Sequence, residues 1–323
     1  MLTFLLTGAA GFIAARTAEL LIAAGHHVVG VDCLNDAYDV RLKLARLDRL
    51  KPLPAFQFHK GDIEDAATIT SLFEAHRFDA VLHLAGRAGV RYSMEKPHSY
   101  FATNAIGTLN ILEAMRDHGV MKMVLSSTSS LYAGQAIPFT ESLPVNTPIS
   151  PYAASKKAAE VLAYTYHHLY GLDISVVRYF TVYGPAGRPD MSPFRFIKWI
   201  DEEQPIALYG DGSQSRDFTY VDDIAAGTLA AVKSVGYEII NLGGGRRPST
   251  LNEMIALLEQ LMGKTARIEY LPTHKTDMTE THADIGKANR LLGWQPTVDL
   301  REGLGQTVGW YRDNYAWVRD IRT

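Results

Sequence analysis

Short apolar runs alternate with longer amphipathic segments along the N-terminal half of the chain. The short runs predict β-strands, and the segments with helical spacing between them predict helices. This alternation predicts a doubly wound α/β domain, in which helices cover both faces of a parallel sheet. The predicted strands are Leu2–Leu6, His27–Val31, Phe56–His59, Ala80–Leu84, Lys122–Ser126 and Ile174–Arg178, and the predicted helices are Ile13–Ala24, Ala66–Ala75, Thr103–Asp117 and Tyr152–Tyr170.

The regular alternation ends near Val182, where loops rich in Gly, Pro and Asp begin. We therefore predict a Rossmann domain over residues 1–182 and a smaller C-terminal α/β substrate domain over residues 183–323. A predicted strand at Glu238–Leu242 leaves a second arrangement open, in which a segment at about 214–243 returns to the first sheet. Further helices are predicted at Leu251–Met262 and Leu300–Tyr311.

Composition narrows the class of protein. With 47% hydrophobic and 21% charged residues the chain is typical of a globular protein, and a net charge of −3 with interspersed signs argues against nucleic-acid or membrane-surface binding. Cys33 is the only cysteine, which excludes an internal disulfide or a cysteine-cluster zinc site and favours a reducing, cytoplasmic location. Polar residues and glycines interrupt the apolar stretch Leu2–Ala15, so no signal peptide or membrane span is predicted. Both pairs of adjacent histidines lack metal-ligand spacing, so no metal site is predicted.

A glycine-containing turn joins the first predicted strand to the first predicted helix. Gly8, Gly11 and Ala14 follow one another with the spacing Gly-x-x-Gly-x-x-Ala. Glycines in such a turn allow the backbone to approach a pyrophosphate, whose charge is stabilised at the helix N-terminus. A glycine turn between a strand and a helix also occurs for structural reasons alone, so the motif needs support from elsewhere in the chain.

That support comes from the end of the second strand. Asp32 follows Val31 at the position that binds the adenosine ribose hydroxyls in dinucleotide-binding folds. A carboxylate there repels a 2′-phosphate and no arginine follows immediately, so NAD is favoured over NADP; helix capping is the alternative role for Asp32. The predicted cofactor contacts are Gly8, Gly11, Phe12, Ile13, Asp32, Asn35, Asp62, Ile63, Leu84, Ala85, Tyr152, Lys156 and Tyr179.

The candidate catalytic residues lie at the start of the helix Tyr152–Tyr170, where Ser150 is a predicted N-cap. Tyr152 and Lys156 are four residues apart, so they lie on one helix face about 6 Å apart along the axis. A nearby ammonium and a positively charged nicotinamide both favour the phenolate of a tyrosine. Tyr-x-x-x-Lys alone is common on ordinary helices, and only its combination with the glycine turn, Asp32 and the hydroxyl-rich strand end at 126–130 supports catalysis.

Together these motifs resemble the extended short-chain dehydrogenase/reductase family over nearly the whole chain. The resemblance implies an NAD-dependent enzyme in which Thr128 supplies a catalytic hydroxyl and Tyr152 acts as general base and acid. It implies that Lys156 lowers the pKa of that tyrosine and holds the nicotinamide ribose. It also implies a homodimer formed through the helices Thr103–Asp117 and Tyr152–Tyr170.

The resemblance further separates three nucleotide-sugar reactions that begin with oxidation at C4. Dehydratases of the family carry an Asp-Glu pair after the catalytic Thr, and decarboxylases carry a Glu two positions before the tyrosine that matches Tyr132. Ser129 and Ser130 occupy those positions here. The resemblance therefore favours 4-epimerisation, in which a 4-keto sugar rotates and takes hydride back on its other face.

Three segments, at residues 87–93, 179–185 and 187–190, are similar to those of UDP-glucuronate 4-epimerases. Thr181 stands where UDP-glucose epimerases usually have Asn, and Arg188 with Thr181 is suited to a uronate carboxylate. A loop arginine paired with Asp190 is the alternative for Arg188. A UDP-glucose/UDP-galactose 4-epimerase, a UDP-glucuronate decarboxylase and a non-catalytic NAD-binding protein remain alternative functions.

Further residues complete the predicted substrate site. Arg216 resembles a diphosphate ligand, although pairing with Asp222 or Asp223 is an equal alternative. Arg87 departs from the uncharged residue usual beside the nicotinamide in this family. The predicted substrate-binding residues are Arg91, Ser127, Thr128, Ser129, Thr181, Arg188, Arg216 and, by similarity to a uridine-ribose contact, Asp277.

Overall fold

The computed structural model describes residues 1–273 and 278–323. Within these residues, the predicted strands of the N-terminal half are confirmed, each to within two residues at either end. The strands are β1 (Thr3–Thr7), β2 (His27–Asp32), β3 (Phe56–Lys60), β4 (Ala80–His83), β5 (Lys122–Thr128), β6 (Asp173–Tyr179), β7 (Thr181–Tyr183), β8 (Pro205–Tyr209), β9 (Ser215–Arg216), β10 (Phe218–Tyr220), β11 (Tyr237–Leu242), β12 (Ser249–Thr250) and β13 (Arg267–Leu271).

Helices alternate with these strands and also build much of the C-terminal region. They are α1 (Phe12–Ala23), α2 (Val40–Leu50), α3 (Ala66–Ala75), α4 (Val90–Glu95), α5 (Pro97–Phe101), α6 (Gly107–Asp117), α7 (Pro151–Tyr170), α8 (Ser192–Asp201), α9 (Val221–Ala230), α10 (Leu251–Met262), α11 (Gly286–Leu292), α12 (Leu300–Asp313) and α13 (Tyr315–Val318). In the described part of the chain, no helix is both long and apolar enough to cross a membrane.

Seven of the described strands form one parallel sheet in the order β11-β6-β5-β4-β1-β2-β3. The order reverses beside β1, whose neighbours are β2 and β4. Loops leaving β1 and β4 therefore diverge and open a crevice at the carboxyl ends of the strands, which is where doubly wound sheets bind ligands. The turn after β1, the end of β2 and the end of β5 all face this edge.

Side chains of β1 point alternately into two apolar layers. Phe4 and Leu6 pack with residues of α1, α2 and α9, whereas Leu5 packs with residues of α3, α6 and α7. All three side chains are essentially inaccessible to solvent. The predicted doubly wound fold, with helices on both faces of a parallel sheet, is confirmed.

A separate apolar core lies in the C-terminal region. Phe194, Ile197, Leu258 and Leu304 contribute to it from α8, α10 and α12. Among the described strands, three short pairs lie outside the large sheet: β10 with β7, β13 with β8 and β12 with β9. The chain also returns to the large sheet, because β11 pairs with β6 from Tyr237 to Leu242. The division into domains at residue 182 stays a prediction.

The helix predicted over Thr103–Asp117 differs from the observed backbone in its first turn. Residues Ala102–Ile106 form a π-helical turn between α5 and α6. A π turn inserts one residue into the helical repeat and has no apolar periodicity of its own, so the sequence pattern shows one continuous helix. Such turns are frequent at functional sites, and this one carries Asn104.

Candidate active site

The glycine turn after β1 lies against the end of β4. Gly8 has φ +70°, and a β-carbon on it would come 2.8 Å from the backbone of Ala85. A β-carbon on Gly11 would lie 2.8 Å from the carbonyl oxygen of Gly8. The turn is fixed from the other side by a hydrogen bond from the Gly8 amide to the Val31 carbonyl, at 2.8 Å. Only glycine fits both positions, and the result is a cradle of bare backbone at the N-terminus of α1.

Asp32 ends β2 beside this cradle and is buried. Its carboxylate accepts hydrogen bonds from the amides of Ala10, at 3.2 Å, and Leu34, at 2.8 Å. The next helix, α2, is capped by Asp39. Helix capping, the alternative role that the sequence allowed for Asp32, is therefore excluded. The carboxylate lies at the carboxyl end of β2, beside the crevice.

Two buried basic side chains near Asp32 were not among the residues predicted from the sequence. Lys43 lies 3.8 Å from the Asp32 carboxylate and donates to the Asn35 side chain at 2.9 Å. Arg46 donates to the carbonyls of Ala10 and Ala186. Both residues lie on α2, which the apolar pattern did not predict because charged residues alternate closely with its leucines. The signal in the sequence was Asp39, an N-cap residue three positions before Leu42.

The predicted pair Tyr152 and Lys156 lies on the face of α7 that packs against β5. Ser150 caps the helix as predicted, accepting a hydrogen bond from the Ala153 amide at 3.2 Å. The Lys156 ammonium donates to the Ser126 carbonyl at 2.9 Å, and the Thr128 side chain is close enough to Tyr152 to lower the pKa of its phenol. The structure thus brings together the three residues that the sequence singled out for catalysis.

Burial dominates the electrostatics of this group. It raises the pKa of Tyr152, while the neighbouring Thr128 side chain and the charge of Arg188 lower it. Burial lowers the pKa of Lys156 to about 8, and the negative charge of Glu160 opposes this change. The protein alone therefore keeps Tyr152 protonated at neutral pH, and a further positive charge near the phenol is needed to make it a base.

Asn104 in the π-helical turn connects the loop after β4 to α7. Its side chain accepts from the Arg87 amide at 2.8 Å and donates to the Arg87 carbonyl at 3.0 Å. It also donates to the Ser155 hydroxyl at 2.9 Å. A β-carbon on Gly86 would meet both the Asn104 oxygen and the Lys156 ammonium, at 3.0 and 2.9 Å. Asn104 therefore supports the catalytic helix from the crevice side, a role that no sequence spacing indicated.

Arg188 lies in the loop after β7, within electrostatic reach of the catalytic tyrosine. Its guanidinium donates to both carboxylate oxygens of Asp190, at 3.0 and 2.6 Å, and to the Ala88 carbonyl at 3.2 Å. The pairing with Asp190, which was one of the two possibilities in the sequence, is therefore present. The same cation lowers the pKa of Tyr152, so it also lies within electrostatic reach of the phenol.

Two other predicted substrate residues, Arg91 and Arg216, contact neighbouring groups of the protein. Arg91 stacks over the ring of Tyr209, with its guanidinium carbon 3.9 Å from the ring centroid. Arg216 lies in β9 and donates to the Ser215 carbonyl at 2.8 Å. Of its two possible partners, Asp222 forms an ion pair with Arg16. Asp277 lies outside the described residues.

Several predicted contact residues have interior partners. Ser127 is buried and donates its hydroxyl to Glu160 at 2.6 Å, and the Tyr179 hydroxyl bonds the Thr228 hydroxyl at 2.7 Å. Ser129 is buried and Thr181 is half-buried in β7. The remaining predicted cofactor residues, all buried or half-buried near the ends of β1 to β4, are Phe12, Ile13, Asn35, Asp62, Ile63, Leu84 and Ala85.

Comparison with known proteins places this geometry in a family. A family model described as the NAD dependent epimerase/dehydratase family matches residues 4–243, which is well over half of the chain. The chain belongs to this family. The resemblance to extended short-chain dehydrogenases/reductases that the motifs carry is thereby confirmed.

Individual members of the epimerase/dehydratase family match the chain over its whole length. A UDP-glucuronate 4-epimerase of Thermodesulfobacterium geofontis (strain OPF15) is 59% identical over 319 residues, covering 99% of each chain. The crystal structure of a UDP-glucuronic acid 4-epimerase from Bacillus cereus, in complex with UDP-glucuronic acid and NAD, is 36% identical with a TM-score of 0.91, covering 97% of this chain and 100% of that one. A UDP-glucose 4-epimerase from Thermotoga maritima, solved with UDP-glucose, is 33% identical with a TM-score of 0.87, covering 97% and 99%.

Proposed function

We propose that the protein is an NAD-dependent UDP-glucuronate 4-epimerase, which converts UDP-glucuronate to UDP-galacturonate through a 4-keto sugar. The observation that carries the proposal is the position of Tyr152, which lies beside Thr128 and within electrostatic reach of Arg188, both of which lower its pKa. A proton-transfer group and a cation suited to a carboxylate thus share one site. The identity of 59% to a whole-length UDP-glucuronate 4-epimerase supports the same substrate.

The residues at the glycine turn fit NAD. The backbone cradle at Gly8 and Gly11 has the space that a β-carbon would fill, and it lies at a helix N-terminus suited to a pyrophosphate. The buried carboxylate of Asp32 suits the ribose hydroxyls and disfavours a 2′-phosphate. When bound, NAD supplies a hydride acceptor at C4 of the sugar and afterwards a hydride donor.

The protein's own residues handle the proton. Tyr152 takes the proton of the C4 hydroxyl as C4 is oxidised and returns it when C4 is reduced. Thr128 orients the reacting oxygen through its hydroxyl, and the Lys156 ammonium favours the phenolate. Neither Ser129 nor Ser130, which follow Thr128 directly, supplies a carboxylate, so this loop offers no acid for dehydration or decarboxylation.

We assign the uronate carboxylate to Arg188 and Thr181. The bonds of Arg188 to Asp190 and Ala88 use its Nε and Nη2 atoms. A substrate carboxylate would therefore bind through Nη1 or in exchange with Asp190. A 4-keto uronate is a β-keto acid that loses CO₂ readily. Holding its carboxylate out of the orientation that allows cleavage would keep the reaction on the epimerase path.

Incubation of the purified protein with UDP-glucuronate, followed by proton NMR, tests the proposal. UDP-galacturonate should accumulate to an equilibrium mixture without added reductant, because the cofactor is regenerated in each cycle. Conversion of UDP-glucose to UDP-galactose in place of this reaction would establish the second candidate, which the likeness to the Thermotoga maritima enzyme favours. A UDP-pentose product would establish a decarboxylase, and no turnover of either sugar would leave a non-catalytic NAD-binding protein.

The proposal includes a cytoplasmic homodimer with a Rossmann domain over 1–182 and a nucleotide-sugar domain over most of 183–323. The single cysteine suits a reducing compartment. Large apolar side chains are exposed along α7 and along the helical segment from α5 to α6, which are the helices that resemble the family's dimer contact. They are Phe101, Ile106, Val161, Tyr164 and Leu169.

A further inference from the structure

Glu160 is a buried carboxylate on the catalytic helix that the mechanism above does not use. Its side chain is 1% exposed. It follows Tyr152 and Lys156 at successive intervals of four residues, so all three lie along one face of α7. A buried carboxylate is costly unless its charge is balanced and its oxygens are hydrogen-bonded, so its partners indicate what it does.

The first partner of Glu160 is Arg178 on β6. The Arg178 guanidinium donates from Nε at 2.9 Å and from Nη2 at 2.7 Å to the two carboxylate oxygens. The remaining nitrogen, Nη1, donates to the Tyr132 hydroxyl at 2.8 Å, which itself donates to the Asn241 side chain at 2.8 Å. Since every arm of the guanidinium is engaged, Glu160 is held in one orientation.

The second partner of Glu160 is Ser127, whose hydroxyl donates to Oε1 at 2.6 Å. Ser127 stands between two residues of β5 that serve the catalytic pair. The Ser126 carbonyl accepts from Lys156 at 2.9 Å, and the Thr128 side chain lies beside Tyr152, whose pKa it lowers. Two consecutive residues at the end of β5 are thus hydrogen-bonded to two residues on one face of α7, and the third residue, Thr128, lies beside the tyrosine on the same face.

We propose that Glu160, held by Arg178, is a positioning residue that fixes the end of β5 through Ser127 and so places the Thr128 hydroxyl against Tyr152. The proposal deepens the proposed epimerase function, on which it rests. Thr128 is the last residue of β5, and its hydroxyl accepts a hydrogen bond from the Ser130 amide at 3.1 Å, so the direction of this side chain depends on the position of the backbone that follows Ser127. A loss of the Ser127 bond should let this segment drift by fractions of an ångström, which is enough to slow proton transfer.

The charge of Glu160 supports the same role. It raises the pKa of Lys156 against the effect of burial and so favours the ammonium. Ionisable groups around Lys156 and Glu160 include His83 on β4, Lys157 on α7, Arg178 on β6 and Tyr237 on β11, whose hydroxyl donates to the Glu160 carbonyl at 3.1 Å. Burial lowers the pKa of His83 to about 3, so that histidine is neutral at working pH. Glu160 therefore supplies the negative charge that balances the positive charges of Lys156, Lys157 and Arg178.

Ser127→Ala is the decisive variant, because it removes the tether and leaves the Glu160–Arg178 pair intact. Ser175→Ala is the matched control. Ser175 is also a buried strand serine, donating to the Ala231 carbonyl at 2.7 Å, but it lies far from the crevice edge. We expect Ser127→Ala to lower kcat about tenfold or more, with KM and Tm close to those of Ser175→Ala. Assays use whichever UDP-sugar the wild-type enzyme turns over.

Other outcomes overturn the proposal. A kcat equal to that of the control would show that the tether does not position the site. A rise in KM with unchanged kcat would show that Ser127 contacts substrate directly. A fall in kcat matched by an equal fall in the control would show a general packing effect. If the wild-type protein turned over no UDP-sugar, the proposed function itself would fail, which is a separate result.

Glu160→Gln supplies a second readout, because it keeps the size of the side chain and removes its charge. The pKa of Lys156 should fall, so the alkaline limb of the kcat–pH profile should move to lower pH. Ser127→Ala keeps the charge and should leave that limb in place. An unchanged limb in folded Glu160→Gln would contradict the electrostatic part of the proposal.

Discussion

Arg188 binds Asp190 through two parallel hydrogen bonds, at 3.0 and 2.6 Å, in the same position from which its charge lowers the pKa of Tyr152. The guanidinium is therefore oriented before any sugar binds. Because Asp190 uses the Nε and Nη2 atoms of the guanidinium, a sugar carboxylate would bind through Nη1 or take the place of Asp190. Arg188, to which we assign the sugar carboxylate, therefore also affects Tyr152, to which we assign proton transfer.

Replacing Arg188 by Ala should divert the reaction towards decarboxylation. Without the cation, the carboxylate of the 4-keto uronate can rotate into the orientation that allows loss of CO₂. We expect the share of UDP-pentose among the products to rise several-fold, as measured by NMR after complete turnover of UDP-glucuronate. Asp190→Asn retains the guanidinium and serves as the control. An unchanged product ratio in Arg188→Ala would contradict the assignment.

Lys156 should set the alkaline limit of activity. Its pKa is lowered to about 8 by burial, so the ammonium is present below that pH and is lost as the pH rises through it. Because the ammonium favours the phenolate of Tyr152, kcat should decline above about pH 8. Lys156→Arg should retain some activity, and its alkaline decline should disappear because a guanidinium keeps its proton.

The test is a pair of kcat–pH profiles at saturating substrate, with cofactor occupancy measured at each pH. A wild-type profile that stays flat to pH 10, or an identical decline in Lys156→Arg, would show that another group controls the limb.

Gly8→Ala should weaken cofactor binding. The residue has φ +70°, which costs about 1–2 kcal/mol for an L side chain, and the new β-carbon would meet the Ala85 backbone at 2.8 Å. The turn must shift to relieve this contact, so we expect the affinity for NAD to fall tenfold or more in calorimetric titrations. Gly25→Ala is a matched control, because Gly25 has φ +85° but nothing lies within 4 Å of the position that its new methyl group would take. Equal losses in both variants would indicate general strain.

A charged residue on the exposed face of α7 should break the proposed dimer. Val161 and Tyr164 are each more than half exposed there. Burying a glutamate at either position against an apolar partner surface would be strongly unfavourable. We expect Val161→Glu to elute as a monomer in chromatography with light-scattering detection, whereas Leu44→Glu, on the exposed side of α2, should remain dimeric. A monomeric wild-type protein would contradict the dimer.

Most of the sheet and the catalytic pair could be predicted because their signals are local. Strand β1, the glycine turn and α1 are contiguous, and Asp32 directly ends β2. Tyr152 and Lys156 share a helix face through their spacing alone. The residues alone indicated a catalytic hydroxyl somewhere in 126–130 at the end of β5, and the family resemblance singled out Thr128, which lies beside Tyr152 in the structure.

Other parts of the site could not be predicted from such signals. Helix α2 was missed because its buried face includes Lys43 and Arg46, which a hydropathy pattern counts as exposed. The contacts of Asn104 were not predicted, because this residue lies in a π turn that interrupts the helical period. For Arg188 the sequence left two roles open, an ion pair with Asp190 and a contact to the substrate. In the structure Arg188 forms the ion pair with Asp190 and also lies close enough to Tyr152 to lower its pKa.

The alternation of strands and helices, the glycine turn, the acid after β2 and the spacing of the catalytic pair could be read from local sequence, since each depends on neighbours within a few residues. Which polar side chains turn inward and meet became known from the three-dimensional packing of the elements. Glu160 and Arg178 lie on different elements and face each other across the interior, so their pairing follows from packing. Where partners lie on separate elements, spacing along the chain carries no information about distance in space.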